Sequence, residues 1–108
     1  MRRGDFVTVV FQGDFGKPGP ALVIQASRFG DHATVTVLPI TSTLIDAPLI
    51  RVPVQPDAAN GLQQPSQIMV DKVMTVKKDQ LGPVFGAADP IVMMETSRCL
   101  AVFLGIAN

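Results

Sequence analysis

The stretch from Phe6 to Ala26, FVTVVFQGDFGKPGPALVIQA, sets two apolar runs on either side of Gly13-Asp14-Phe15-Gly16-Lys17-Pro18-Gly19-Pro20. Phe6 to Phe11 is β-branched and aromatic nearly throughout, which predicts a strand. Ala21 to Ala26 reads as its partner. Three glycines and two prolines in the eight residues between them are a firm turn signal. A hairpin turn needs only about two to five residues, so this connection is longer than strand pairing requires. It also carries an acid, Asp14, and a base, Lys17.

Outward from this pair the pattern stays β. Ala33 to Leu38 (ATVTVL) alternates, with Val35 and Val37 facing one way and Thr34 and Thr36 the other, as in a half-buried strand. Leu49 to Val54 (LIRVPV) is a further strand, and Pro53 makes it an edge strand or bends its end. Ile68 to Val70 and Val73 to Val76 complete the set, and Asn60-Gly61 marks a turn in the polar segment Asp57 to Pro65. The C-terminus changes character. Asp89 suits an N-cap and Pro90 the first helical position. Ile91 to Leu104 suits a helix, and Gly105 its stop. Glu95, Thr96, Ser97 and Arg98 point four ways round that helix with apolar residues between, which predicts burial on more than one side. Five or six short strands and a capped helix make a mainly β (α+β) chain, a small, strongly bent sheet or barrel with a terminal helix. No internal repeat or low-complexity segment is visible.

The chain has 108 residues, which predicts a single domain over 1–108. Charged residues are 17% of it, against about 25% in typical soluble domains. Mean hydropathy is +0.34, so some apolar surface is expected to be hidden in a homodimer. No apolar run is long enough for a transmembrane helix, and MRRGDF has no apolar h-region of a signal peptide. The single cysteine, Cys99, excludes a disulfide framework within the chain and points to the cytoplasm. Nine basic and nine acidic residues cancel, so nucleic-acid binding would need a local groove.

Several stretches, taken in order, resemble the MazF/PemK family of bacterial toxin–antitoxin toxins: RRGDF, GDFGKPGPALVIQ, VTVLPITS, PSQIMVDKVMTV and LAVFLG. Together they span most of the chain. The resemblance implies an SH3-like β-barrel of five to seven short strands with a C-terminal α-helix, assembled as a homodimer. It further implies a cytoplasmic bacterial endoribonuclease, an mRNA interferase, that cuts single-stranded mRNA with no metal and no cofactor. The expected partner is a cognate antitoxin whose disordered tail covers the RNA groove. DNA is met only indirectly through that antitoxin, and no membrane is involved.

Metal-free RNA cleavage needs the 2′-hydroxyl to attack the adjacent phosphorus, with groups to move protons and stabilise the phosphorane oxygens. Thr41 matches the family's hydroxyl position and Ser42 stands beside it; the alternative is a Thr-Ser turn capping the backbone. Asp71 matches an acidic position that acts in catalysis in some members, and Lys72 follows it; the alternative is a surface pair in a strand. Asp14, Lys17 and Pro20 in the first loop, with Lys72 and Lys77, make up the expected RNA-binding set. Asp14 could instead form an Asx turn, and Lys17 could be a solvated loop lysine. Lys77 and Lys78 read as a solvated turn that at best assists phosphate binding. His32 is the only histidine, but it lies in the turn before the third strand, and Cys99 reads as core.

Gly19 stands where the family carries its key arginine. Glycine offers no charge, whereas an arginine fork matches phosphate geometry. Three readings stay open: a weakened or inactive form, natural or engineered; a member drawing charge from Arg28, Lys17 or Lys72; or a protein that no longer cleaves RNA. The last admits a gyrase poison of the CcdB type or an antitoxin-binding regulatory module. The end, Leu104-Gly105-Ile106-Ala107-Asn108, lacks the tryptophan that gyrase poisons of this fold use.

Overall fold

A computed structural model describes residues 1–10 and 18–108. The expectations for Asp14 and Lys17 therefore lie outside the described residues. The elements run β1 (Asp5–Val10), β2 (Pro18–Val23), β3 (Thr34–Thr41), β4 (Arg51–Val54), β5 (Ser66–Met69), β6 (Met74–Lys77), β7 (Leu81–Ala87) and α1 (Pro90–Phe103). Short 3-10 turns span Ser27–Phe29, Val70–Lys72 and Lys78–Gln80. The strands pair antiparallel in one sheet of order β4-β5-β3-β2-β1-β7, with β6 also on β3. The mainly β architecture with a terminal helix is as the sequence predicts.

The bend in the sheet has a local cause. β3 pairs with β2 along one edge and with both β5 and β6 along the other. Ile40 faces Ile68 and Val37 faces Met74, so three steps along β3 match six on its partner. The surplus is taken up by the Val70–Lys72 turn, which places Asp71 and Lys72 between β5 and β6 and outside both ladders. The expectation that this pair sits in a strand is thus corrected. A register step of this kind must be absorbed by unpaired backbone, and a 3-10 turn is the compact way to do it.

Both faces of the central strands are buried, which is why Phe6 to Val10 shows little polar alternation. Phe6, Leu22, Leu38, Ile40 and Ile68 form one core with Cys99 and Leu100 of α1. Val7, Val9, Ala21, Val23, Val35 and Val37 form the other with Val76. Successive strand residues point to opposite faces, so neighbours such as Phe6 and Val7 enter different cores. The helix begins as predicted: Pro90 is its first residue and the Asp89 carboxylate accepts from Val92 N at 2.8 Å. Gly105, at φ 75°, follows its end. Within the chain α1 buries one stripe, Thr96, Cys99 and Leu100, while Ile91, Met94 and Phe103 stay exposed.

Several elements differ from the sequence reading. Pro18, Gly19 and Pro20 belong to β2, opposite Val10, Val9 and Thr8, and so are strand residues and not part of a loop. The same strand ends at Val23 rather than Ala26. β7, over a segment to which the sequence reading assigns no element, forms an edge strand on β1, where Pro83 is tolerated. Edge status also fits Pro53 in β4. No helix among the described residues is long and apolar enough to cross a membrane.

Candidate functional site

The β2–β3 ladder pairs Ala21 with Pro39. Two residues further out on each strand, on the same face, stand Gly19 and Thr41. Both line a groove of about 670 Å³. Pro39 and Ile40 lie along it, and Met69, Met74 and the Asp71–Val73 turn close its other side. Residues more than fifty positions apart in the chain are thus gathered by two antiparallel ladders and one turn. An adjoining cavity of about 330 Å³ shares Ile40 and Thr41 and is lined also by Pro20, Ser42, Gln63 and Gln64.

Thr41 is half-buried at the end of β3, and its Oγ1 accepts from Thr43 N at 3.0 Å. The backbone-capping role is therefore real. It does not exclude the functional one, because a hydroxyl that accepts through its oxygen keeps its proton to donate. Ser42 is exposed and borders the adjoining cavity.

Lys72 Nζ lies 2.9 Å from Asp71 Oδ2. The hydrogen bond from Lys72 holds the Asp71 carboxyl below the usual carboxylate range; partial burial opposes it, and the charges of Lys72 and, more weakly, Arg51 add to it. A carboxylate shifted this way is a poor proton acceptor at neutral pH, since a general base works best with a pKa near the operating pH. Its chemistry suits orienting Lys72 instead. The Lys72 side chain is 59% exposed, so its ammonium has room to meet an anion in the groove.

The structure brings Gly19, Thr41, Asp71 and Lys72 to one groove, and Pro20 and Ser42 to its neighbour. Lys77 is not brought there. It pairs with Thr34 at the start of β3, seven residues from Thr41, roughly 23 Å at the usual strand rise. Arg28 is at that far end too, over the Phe29 ring at 5.9 Å, and His32 meets the same ring edge-on. Lys78 donates to Gly30 O nearby. Arg28 is thus placed away from the position where it would have to substitute for the missing arginine. Cys99 is buried in the core, as expected. No cluster of three metal-ligating side chains occurs among the described residues.

Arg51 and Gln67 were not singled out by the sequence. Gln67 pairs with Thr41 across β5 and β3, and Arg51 Nη1 donates to Gln67 Oε1 at 2.9 Å and to Thr43 O at 3.2 Å. The only sequence signal for Arg51 was its place between core positions in LIRVPV, which gives its face and nothing about its partners.

Residues 2–104 match the family model described as "PemK-like, MazF-like toxin of type II toxin-antitoxin system". The chain is 46% identical over 109 residues to the "Probable endoribonuclease MazF" of Mycolicibacterium smegmatis, covering all of both proteins. It is 39% identical to "Endoribonuclease MazF3" of Mycobacterium tuberculosis over 71 residues, 65% of this chain and 66% of that protein. Among solved structures, an "Endoribonuclease in complex with its cognate antitoxin from Mycobacterial species" superposes with a TM-score of 0.83 at 24% identity, covering 100% of this chain and 98% of that one. A MazE-MazF crystal structure from Deinococcus radiodurans gives 0.81 at 22% identity, covering 99% and 98%. At those identities the two structures speak for the fold. The family match and the full-length relative go further: the chain belongs to the PemK-like, MazF-like toxins of type II toxin–antitoxin systems.

Proposed function

We propose that this chain is the toxin of a type II toxin–antitoxin pair and acts as an endoribonuclease on single-stranded mRNA, without a metal. Full-length similarity to a protein named probable endoribonuclease MazF supports the activity. The observation that carries the site is the meeting of the Thr41 hydroxyl and the Asp71–Lys72 pair in one groove. In the proposed reaction the 2′-oxygen of a bound ribose attacks the adjacent phosphorus and the bond to the 5′-oxygen breaks. The products are a 2′,3′-cyclic phosphate and a 5′-hydroxyl. The 2′-hydroxyl gives its proton to water and the leaving 5′-oxygen takes one from water, while the Thr41 hydroxyl donates a hydrogen bond to a non-bridging phosphoryl oxygen and Lys72, held by Asp71, offsets the negative charge that builds there. The 2′-hydroxyl requirement selects RNA over DNA. Ser42 and Pro20 border the path of the flanking nucleotides.

With Gly19 in place of an arginine, the groove has one charge fewer than the chemistry favours, so the reaction is expected to be slow. The protein is taken as one domain, residues 1–108, acting in the bacterial cytoplasm as a homodimer. Exposed Ile91, Met94 and Phe103 on α1 support a second copy. The solved structures of similar fold bound to antitoxins support a cognate antitoxin as the inhibitor. Neither gyrase poisoning nor a purely regulatory role has an observation of its own in its favour.

The test is incubation of end-labelled single-stranded RNA with the protein in EDTA, followed by end mapping. Cyclic phosphate ends that vanish when the scissile ribose is 2′-deoxy are the expected result. If neither this chain nor its Gly19→Arg variant cuts any RNA, the proposal fails.

A further inference from the structure

The segment after Thr41 has little burial to hold it. Ser42, Thr43, Leu44 and Ile45 are all exposed. Yet Thr41 depends on this segment, because Thr43 N donates to its Oγ1. What fixes the segment is polar and comes from the adjacent strand β5 and from β4 beyond it. Gln67 Oε1 accepts from Ile45 N at 3.2 Å, and Gln67 Nε2 donates to Ile45 O at 2.9 Å. One side-chain amide thus gives Ile45 both bonds that a neighbouring strand would give. Arg51 Nη1 then donates to the same Gln67 Oε1 and to Thr43 O.

We infer that Arg51 and Gln67 are positioning residues, a clamp that holds the Thr43–Ile45 segment and through it the Thr41 hydroxyl. The inference rests on the endoribonuclease reading for its consequence, though the clamp itself is a matter of geometry. A guanidinium can only donate, so Arg51 fixes which end of the Gln67 amide faces it and thereby which end faces Ile45 N. The Thr43 peptide is tied on both sides, by Thr41 Oγ1 at its nitrogen and by Arg51 at its oxygen. With its oxygen engaged by Thr43 N, the Thr41 hydroxyl is left to donate into the groove. Arg51 itself lines a different cavity, beside Glu95 and Arg98, so it acts on the groove through the segment and not by touching substrate. Its charge also reaches Asp71, though more weakly than that of Lys72.

The experiment compares Arg51→Met, Gln67→Leu and the double variant, with Gln67→Glu as the conservative replacement that keeps the acceptor toward Arg51 and Ile45. Two readouts are taken: amide hydrogen exchange at Thr43 and Ile45 without RNA, and single-turnover cleavage alongside affinity for a strand with a 2′-deoxy scissile position. Where the parent is too slow to follow, all variants are carried in Gly19→Arg. Both single variants should exchange faster at Thr43 and cleave on the order of 10- to 100-fold more slowly, as small misplacements of reacting groups do, at unchanged affinity. The double should be no worse than the poorer single, since both act through one network. Gln67→Glu keeps the acceptor toward Arg51 and Ile45 N but turns an oxygen toward Ile45 O, so it should recover the rate only in part. Unchanged Thr43 exchange, additive losses, or an effect confined to affinity overturns the inference. Faster Thr43 exchange with no cleavage by any form, Gly19→Arg included, overturns the nuclease reading instead.

Discussion

Gly19 and Thr41 face one groove from neighbouring strands, the one without a side chain and the other with a hydroxyl at its edge. Gly19 is paired with Val9 in β2, so a side chain there would be aimed by the sheet and not by a loose loop. An arginine at this position would reach over the groove toward the Thr41 and Lys72 side. Gly19→Arg is therefore expected to raise the rate of RNA cleavage in EDTA by about 10²–10³-fold, the usual worth of one donor aimed at a developing oxyanion. Single-turnover assays on a labelled oligonucleotide measure it. An unchanged rate would mean that position 19 does not face the phosphate.

Thr41 should separate chemistry from stability. Thr41→Val keeps the shape, removes the hydroxyl and leaves Thr43 N without its acceptor. That loss should cost about 0.5–1.5 kcal/mol of stability, a modest fall in Tm. Cleavage should fall far more, while Thr41→Ser, which restores the hydroxyl, should keep most of the activity. Equal activity in the valine and serine forms would remove Thr41 from the reaction.

What the sequence shows plainly is local. The alternation of Val35 and Val37 with Thr34 and Thr36, the Asp89-Pro90 start of α1, and the edge character of Pro53 each follow from a few adjacent residues. The site is different in kind. Thr41 and Asp71 meet only because β3 holds β5 and β6 on one edge with a three-residue surplus, a register fact that no short stretch contains. Thr41, Asp71 and Lys72 were reachable through family resemblance. Arg51 and Gln67 were not, since their role lies in long-range hydrogen bonds to Thr43 and Ile45.

The Asp71–Lys72 pair sets a pH prediction. The carboxyl is lowered from 3.8 in the folded protein by the Lys72 hydrogen bond first. A depressed folded pKa means that its stabilisation is complete above the unfolded value and is lost as pH falls through the folded one. Asp71→Asn should therefore be slightly less stable than the parent at pH 5–8, by no more than about 1 kcal/mol for so exposed a lysine. The difference should begin to shrink as pH drops below 3.8 and vanish only below the lower pKa of the folded state. Urea unfolding across that range checks it; a gap that widens in acid would reverse the assigned sign.

The glycines of β7 are explained by close approach. A Cβ on Gly86 would run into the backbone of Asn60. Asn60 cannot easily yield: it is buried, its amide donates to Gln55 O at 2.8 Å, and its Oδ1 accepts from Asp57 N and Leu62 N. At Gly82 the obstacle is the end of the Thr8 side chain, which can turn aside. Gly86→Ala is accordingly expected to destabilise by about 1–3 kcal/mol, the usual cost of overpacking, and Gly82→Ala by clearly less. For a chain of this size each kcal/mol lowers Tm by roughly 4–8 °C, so thermal melts followed by circular dichroism can resolve the two. Were Gly82→Ala the more damaging change, the close contact between β7 and the Asn60 turn would not be what demands glycine there.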